Sequence, residues 1–280
     1  MSAVLNSTVE TITPEQAAVY LERKATNRKL SNATVIQYAQ IMKAGKWLLN
    51  GEAIKFDTNG RLNDGQHRLA GVIKAGVPIQ TLVVRGVVEK AFETFDSGKG
   101  RSVPDVLSMY GVKYPITTAG VLRIIYQHAK NGTPHTAKFG RIPTALLLAF
   151  FHENKQREER LVEAAADGTK YAVPSSLFAP RVAGYLSYVG NIVDRDLTTE
   201  FFAALTEPRR EDHPVMSLKR RILRSANSKD ITSIEESLAL TVKTWNALYN
   251  NQPVNFLRYR MFGAKPDSFP EFAGLDVKKL

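Results

Sequence analysis

The chain has 280 residues, with 38 Lys and Arg against 27 Asp and Glu, which gives a formal net charge of +11. Hydrophobic residues make up 44% of the chain and charged residues 23%, so wholesale disorder is excluded and a buried core is expected. The positive excess indicates phosphate or another polyanion as a partner but says nothing about the fold. The chain has no Cys, which excludes disulfides, thiolate metal sites and cysteine nucleophiles.

Signals for secretion and for membrane insertion are missing from this sequence. The first residues, MSAVLNSTVE, lack the basic and then apolar layout of a secretion signal. The longest clearly apolar run, Ala145 to Phe151, is much shorter than the roughly 20 residues of a membrane-spanning helix. We therefore expect a cytoplasmic protein with no membrane partner.

The first part of the chain mixes helical and strand patterns. Its first segment is predicted to be helical, because Thr13 can cap a helix with Pro14 in its first turn. Ser31 can cap a second helix that ends at Gly45. A β-hairpin with an Asn-Gly turn, a helix, a strand and a short helix are predicted next, over 53–62, 66–75, 78–84 and 88–95.

Beyond Asp105 the strand signals fade and helical periodicity dominates. The predicted helices cover 121–130, a pair within 143–165, and then 182–192, 198–205, 217–226 and 234–249. We therefore predict an α+β protein, with an α/β domain over residues 1–105 followed by an all-α domain over residues 106–280.

The stretch that most resembles a binding site runs from Asn63 to Leu69, between the hairpin and the helix that follows it. Gly65 permits a tight turn there, and the helix N-terminus offers N–H groups and the positive end of a dipole to a phosphate. His67 and Arg68 add hydrogen-bond donors, and Asp64 can cap the helix, bind a ribose hydroxyl or hold Mg²⁺. The alternative is a surface turn in which Asp64 caps the helix and both basic side chains are solvated.

The sequence Asp64-Gly65-Gln66-His67-Arg68 resembles the DGQHR signature of the ParB/sulfiredoxin superfamily. The hairpin before it, the helix after it and the strand that begins at Val77-Pro78-Ile79 are similar to the surroundings of that signature. The segments 50–54, 95–102, 245–247 and 269–274 are similar to motifs of a phage and plasmid branch of the superfamily. The resemblance to the superfamily covers about residues 10–105, and that to the branch covers nearly the whole chain.

The resemblance implies a ParB/sulfiredoxin-like N-terminal domain that binds the phosphates of CTP, ATP or ADP, with or without Mg²⁺. Residues 64–68, here named the DGQHR box, would provide the site: Gly65, Gln66, His67 and Arg68 for phosphate, and Asp64 to orient the loop or a metal. Sulfiredoxin chemistry requires a cysteine and is excluded. His67 replaces one of the paired arginines of the ParB proteins, so the CTP-dependent clamp of that family is not implied.

Two further stretches are candidates for the same site. Glu52, ahead of the hairpin, is a candidate to accept a hydroxyl proton or to hold Mg²⁺, and completes a catalytic set with Asp64 and His67. The alternative is a solvated acid in a connector. Lys99 and Arg101 belong to a Gly-rich basic loop that can close over phosphates, contact a nucleic-acid backbone or act as a hinge. The remaining histidines lack metal-ligand spacing, so no metal site is predicted from them.

A cluster of cations in the second domain is a candidate for nucleic-acid binding. Two of its members, Arg220 and Arg224, share one face of a predicted helix and can follow a DNA backbone, although an ordinary exposed face has the same pattern. The basic cluster consists of Arg209, Arg210, Lys219, Arg220, Arg221 and Arg224. Tyr259, between Arg258 and Arg260, is a candidate to stack on a base.

These patterns leave three classes of function open. The first is a nucleotide-binding, DNA-associated protein of phage or plasmid type, acting in the host cytoplasm, with or without hydrolysis of the nucleotide. The second is a phosphotransferase acting on a hydroxyl of modified DNA or of a small molecule. The third is a ParB-like nuclease, which the lack of carboxylates at metal-binding spacing disfavours. A monomer and a homodimer are both compatible with the sequence.

Overall fold

The computed structural model describes residues 5–23, 30–88, 101–134, 142–172, 177–227, 233–254, 256–262 and 265–280. The fold is mixed α+β, with one small sheet and a majority of helix. The chain divides into two compact units, the first comprising Met1–Gly100 with Arg141–Ala149 and the second Arg101–Gly140 with Phe150–Leu280. The sequence-based boundary after residue 105 therefore falls inside a helix of the second unit, Val103–Met109.

The described residues between 5 and 88 form a four-stranded sheet and three helices of the first unit. The elements in chain order are β1 (Asn6–Ile12), α1 (Pro14–Glu22), α2 (Asn32–Lys43), β2 (Ala53–Asp57), β3 (Leu62–Asp64), α3 (Gln66–Ala75) and β4 (Ile79–Val87). The strand order is β1-β4-β2-β3, with β2 and β4 parallel and the other neighbouring pairs antiparallel.

Local signals set most of these boundaries. The hydroxyl of Thr13 accepts from the Gln16 N–H at 3.2 Å, and that of Ser31 accepts from the Thr34 N–H at 3.4 Å, so both predicted caps are confirmed. The hairpin of β2 and β3, the helix α3 and the strand β4 lie where the sequence predicts them. The short helix predicted for 88–95 lies, except for Val88, outside the described residues.

The edge strand β1 corrects the prediction that the first segment is helical throughout. β1 pairs with β4 in a register that runs from Asn6 opposite Arg85 to Ile12 opposite Ile79. Of its residues only Ile12 is fully buried, so the strand lacks the apolar and polar alternation of a half-buried strand. Its extended conformation depends on pairing with β4, which local sequence does not encode.

An apolar cluster joins the sheet to the three helices of the first unit. Ile54 of β2, Leu62 of β3 and Leu69 of α3 are completely buried within it. The other members are Ile12, Ala17, Ala39, Met42, Phe56, Val72, Ala75, Ile79 and Val83. Because burial of these side chains is the main favourable term, the cluster also fixes the short connection between β3 and α3, which carries the DGQHR box.

The second unit is helical over its described residues, as the sequence predicts for this part of the chain. None of the described helices is long and apolar enough to cross a membrane. The helix α6 begins in the first unit and ends in the second. The remaining helices are α4 (Val103–Met109), α5 (Pro115–Asn131), α6 (Thr144–His152), α7 (Lys155–Tyr171), α8 (Pro180–Val193), α9 (Arg195–Thr206), α10 (Pro214–Asn227) and α11 (Ile234–Tyr249).

The helices α7 and α8 approach each other backbone to backbone. A side-chain carbon at Gly184 of α8 would lie 2.9 Å from the carbonyl oxygen of Ala164 on α7 and 2.5 Å from Cγ2 of Val121 on α5. A carbon at Gly168 of α7 would collide with the carbonyl oxygen of Pro180. The two glycines therefore permit the close approach of α7 and α8, because any larger residue would push the helices apart.

Two distant segments that the sequence analysis singled out, 245–247 and 269–274, contact each other in the fold. The indole of Trp245, fully buried on α11, donates to the carbonyl oxygen of Ala273 at 3.2 Å. The amide of Asn246 donates to the carbonyl oxygen of Glu271 at 2.7 Å and accepts from the Ala273 N–H at 2.8 Å. These residues hold an irregular C-terminal segment against α11, so their role is structural.

The histidine His128 lies in the core of the second unit. Its Nδ1 is 3.1 Å from the hydroxyl of Tyr185, and the ring is 3% exposed. Burial lowers the pKa of His128 to about 4, so the folded protein holds the ring neutral. The unfolded chain protonates the ring near pH 6.5, and stability is therefore complete above that pH and falls as the pH decreases toward 4.

We expect acid to destabilise the wild-type protein more than the variant His128→Gln. Between pH 7.5 and pH 5 the wild type should lose about 2 kcal/mol more of its free energy of unfolding, because only the wild-type unfolded state gains a proton at this position. Urea titrations of both proteins at the two pH values measure this difference. An equal loss in the two proteins would contradict the proposed burial of a neutral ring.

Candidate functional site

The DGQHR box forms the connection between β3 and α3. Gly65 precedes α3 with φ +103°, a conformation that residues with a side chain rarely adopt. A side-chain carbon here would lie 3.0 Å from Cγ1 and 3.1 Å from Cα of Ile54 on β2. The expectation of a tight turn with close backbone approach is confirmed, and the approach places the first turn of α3 directly against β2.

The guanidinium of Arg68 holds this first turn to the beginning of β2. Its Nη1 donates to the carbonyl oxygen of Ala53 at 2.7 Å, and its Nη2 donates to Oε2 of Glu52 at 2.7 Å. The side chain of Arg68 is 10% exposed and that of Glu52 is 58% exposed. Glu52 therefore lies beside the box, and its carboxylate shields the buried cation from solvent on one side.

Asp64 orients the loop and does not cap α3. Its Oδ1 accepts from the N–H of Gly65 at 2.6 Å, while its Oδ2 lies 3.1 Å from Nζ of Lys55 and 3.8 Å from Nη1 of Arg68. A capping side chain would accept from an N–H further along the helix, and α3 has no such bond. Of the roles considered for Asp64, orientation of the loop matches this geometry.

The imidazole of His67 connects α3 to the beginning of α2. Its Nε2 accepts from the N–H of Ser31 at 2.9 Å, so the ring is neutral and carries its proton on Nδ1. His67 is 9% exposed, and Gln66 and Arg68 are equally buried. The alternative of a surface turn with solvated basic side chains is therefore wrong.

Among the described side chains at the box, positive and negative charges are paired. Glu52 and Asp64 carry two negative charges, and Arg68 and Lys55 carry two positive charges at distances of 2.7–3.8 Å. Lys55 was not identified as a site residue from the sequence. The register of the hairpin could have indicated it, because Lys55 pairs with Asp64 across the two strands. A phosphate that approaches Arg68 must displace the carboxylate of Glu52, which is exposed enough to rotate into solvent.

The two predicted phosphate ligands that follow the sheet in sequence, Lys99 and Arg101, stay predictions. Lys99 lies outside the described residues. Arg101 is exposed and belongs to the second unit, immediately before the capping box that Ser102 and Asp105 form at the beginning of α4.

The basic cluster is a surface of mixed charge, and most of its cations are paired with acids. Arg209 contacts Glu200 at 3.1 Å and Glu207 at 2.9 Å, which leaves its side chain 25% exposed. Lys219 donates to the carbonyl oxygen of Glu207 at 3.1 Å. The other pairs are Arg210–Asp212 at 3.2 Å, Arg220–Glu211 at 2.6 Å and Arg221–Glu236 at 3.2 Å.

Arg224 is the exception within this cluster. It is exposed on α10 and makes no hydrogen bond or ion pair with any part of the chain that the structure describes. Exposed ion pairs contribute about 0–1 kcal/mol, so Arg220 and Arg221, each about half exposed, can exchange their acids for phosphate. Arg209, held by two carboxylates, is the least available member.

Tyr259 is a structural residue and does not form a stacking platform. The tyrosine is 8% exposed, its hydroxyl donates to Oε1 of Glu235 at 2.9 Å, and its ring meets that of Phe269 edge to face. A base-stacking ring must present a face to solvent, so the interpretation of Tyr259 as a base-stacking residue is wrong.

No group of three or more metal-ligating side chains occurs among the described residues. Comparisons of the chain with protein-family models, with curated proteins and with solved structures give no match. The function of the site is therefore argued from its geometry and chemistry.

The substitution Gly65→Ala tests whether the box depends on close packing as well as on backbone conformation. We compare it with Gly45→Ala, since Gly45 also has a positive φ, of +65°, but a side-chain carbon there would have no neighbouring atom within 4 Å. We expect Gly65→Ala to cost about 2 kcal/mol more than Gly45→Ala, because the added carbon also strains Ile54. Amide hydrogen exchange of β2 and α3 measures the loss of stability in both variants. An equal loss in the two would contradict the close approach of Gly65 to Ile54.

Proposed function

We propose that this chain is a nucleotide-binding, DNA-associated protein of phage or plasmid type, with a ParB/sulfiredoxin-like first unit whose DGQHR box binds nucleotide phosphates. The observation that carries the proposal is the arrangement at Arg68. A buried guanidinium at the first turn of a helix is held 2.7 Å from the exposed carboxylate of Glu52. Phosphate has the charge and the oxygen geometry to replace that carboxylate.

The binding mode follows from the same contacts. A phosphate at Arg68 would lie at the first turn of α3, where the helix dipole favours an anion. The phosphate carries a larger negative charge than Glu52, which favours the exchange. Where Mg²⁺ accompanies the nucleotide, Asp64 is the carboxylate of the box, and the phosphates would supply most of the other ligands. Lys99 and Arg101 remain predictions as additional phosphate ligands.

The position of Glu52 also favours a second candidate function, a phosphotransferase. A carboxylate released from Arg68 by the incoming phosphate would remain beside it, where a general base that accepts a hydroxyl proton is needed. The acceptor would then be a hydroxyl of modified DNA or of a small molecule. The nuclease alternative has no comparable observation in its favour.

The variant Glu52→Gln separates binding from catalysis. We expect it to strengthen nucleotide binding, because it removes the negative charge that competes with phosphate for Arg68. If Glu52 is the base of a phosphotransferase or hydrolase, turnover should fall by about 10²–10⁴. Calorimetric titration with CTP, ATP and ADP, with and without Mg²⁺, measures the first effect, and release or transfer of the labelled γ-phosphate measures the second.

The matched control is Glu22→Gln, an exposed acid at the end of α1 in the same unit. It changes the net charge equally and should alter neither affinity nor turnover. Nucleotide binding that is absent from the wild type, or identical in the wild type and in Glu52→Gln at low and high salt, would contradict the assignment of the box.

Association with DNA is proposed for the helical unit, through α10. The exposed Arg224 and the half-exposed Arg220 and Arg221 lie within five residues of each other on this helix. Their acidic partners sit on other segments, so a DNA backbone can replace them without unfolding the helix. Such contacts bind phosphates and carry no base specificity, which predicts affinity that is strongly dependent on salt.

We expect duplex DNA to bind the wild type at 50 mM salt and to be released steeply by 200 mM salt. The triple variant Arg220→Gln, Arg221→Gln, Arg224→Gln should bind more weakly at every salt concentration. The slope of log K against log salt concentration should become shallower by up to about 0.9 for each phosphate that the variant no longer neutralises. Fluorescence anisotropy across this range of salt measures the affinity and its salt dependence.

The control variant replaces three exposed cations elsewhere in this unit with Gln, namely Arg123, Lys130 and Lys170. An equal loss of affinity in both triple variants would contradict a specific surface on α10.

A further inference from the structure

The second unit contains a cavity of about 480 Å³ that none of the functions discussed above uses. It lies beside the N-terminal turns of α7, next to α8 and the short 3₁₀ turn Val277–Lys279. The volume is within the range of about 300–1,000 Å³ that small-molecule sites occupy. The lining is mainly polar, so the chemistry of a ligand can be argued from its side chains.

The cavity concentrates positive charge. Four cations line it, Arg157, Arg160, Lys278 and Lys279, and no carboxylate side chain is among the described residues of the lining. The guanidinium of Arg160 and the ammonium groups of both lysines make no ion pair within the described ranges. These three unpaired charges repel each other, and an anion bound between them would remove that repulsion.

Arg157 is held in place and gives the cavity a fixed wall. Its Nε donates to the main-chain oxygen of Leu280 at 3.0 Å, and its Nη1 donates to the carbonyl oxygen of Phe150 at 2.9 Å and to the carboxylate of Glu153 at 2.9 Å. The guanidinium also stacks over the Phe150 ring, 3.8 Å from its centroid. The side chain of Arg157 is therefore ordered before any ligand binds, which lowers the entropic cost of binding.

Tyr188 of α8 adds a buried hydrogen-bond donor. The residue is 2% exposed and lines the cavity next to both arginines. Burial raises the pKa of its hydroxyl, and the charges of Arg157 and Arg160 oppose that rise without cancelling it, so the group stays protonated at neutral pH. The N–H groups of Gln156 and Arg157 are already bonded to the side chain of the helix cap Asn154. The donors available to a ligand are therefore side chains.

We propose that this cavity binds a small polyanion with at least two phosphate groups. A single phosphate carries about two negative charges, so the three unpaired cations exceed the charge of one phosphate. The volume accommodates a di- or triphosphate chain but not a DNA duplex. The site belongs to the second unit and is independent of the DGQHR box in the first, so either assignment can fail without the other.

The test is calorimetric titration with inorganic tripolyphosphate, without Mg²⁺, because this probe has no base or ribose. We expect binding by the wild type, weaker binding of orthophosphate, and at least tenfold weaker tripolyphosphate binding by Arg160→Gln. Lys279→Gln, an exposed position, serves as a second variant if Arg160→Gln does not fold. Tyr188→Phe, which keeps the ring and removes one donor, should weaken binding to a smaller extent.

The matched control is Arg123→Gln, which removes an exposed cation of the same unit that does not belong to the described cavity lining. It should bind tripolyphosphate as the wild type does. Equal affinity of the wild type for sulfate and tripolyphosphate at matched ionic strength would overturn the proposal, since it would indicate a diffuse counter-ion effect. Equal tripolyphosphate affinity in the wild type and both cavity variants would overturn it as well.

Discussion

A buried guanidinium is the constraint around which the first unit is arranged. Removing the charge of Arg68 from water costs several kcal/mol unless its donors are bonded, so the side chain requires acceptors within reach. The carbonyl oxygen of Ala53 and the carboxylate of Glu52 provide them at 2.7 Å. Both belong to the beginning of β2, which is therefore tied to the first turn of α3. Gly65 makes the approach sterically possible, because no side chain stands between the two elements.

The same contacts connect stability and binding at the DGQHR box. Arg68, His67 and Asp64 all have protein partners that hold β2, β3, α2 and α3 together. Of the charged partners, Glu52 is more exposed than Lys55, and its bond is the one that the proposed phosphate would replace. A site built in this way would be preorganised for that phosphate, since binding would exchange one anion for another around a cation held by the fold.

The positive charge of the second unit is of two kinds. On and around α10 most cations face acids on the surface, where water screens the pairs and each contributes little to stability. In the cavity beside α7, the cations surround a half-open volume with no carboxylate side chain in the described lining. The first arrangement suits a long, weakly discriminating phosphate backbone, and the second suits a compact anion. Composition alone cannot distinguish them, because both contribute equally to the net charge.

Sequence by itself determined the elements whose signals are local. The caps at Thr13 and Ser31, the Asn-Gly hairpin, α3 and most helices of the second unit follow from turn chemistry and apolar periodicity, which act over a few residues. The need for glycine at position 65 was also evident from the sequence. Because residues 64–68 are consecutive in the chain, their pattern was also enough to single out the candidate site.

Only the tertiary structure decided which residues contact one another at the candidate site and how the remaining charged side chains are placed. The strand β1 exists because β4 pairs with it, and Lys55 reaches Asp64 because of the hairpin register. Arg68 is bonded to Glu52, Tyr259 is buried against Glu235, and Arg157 and Arg160 share a cavity with Lys278 and Lys279. Each of these contacts joins residues distant in sequence. Their energy depends on distance and burial, and neither quantity is defined until the chain has folded.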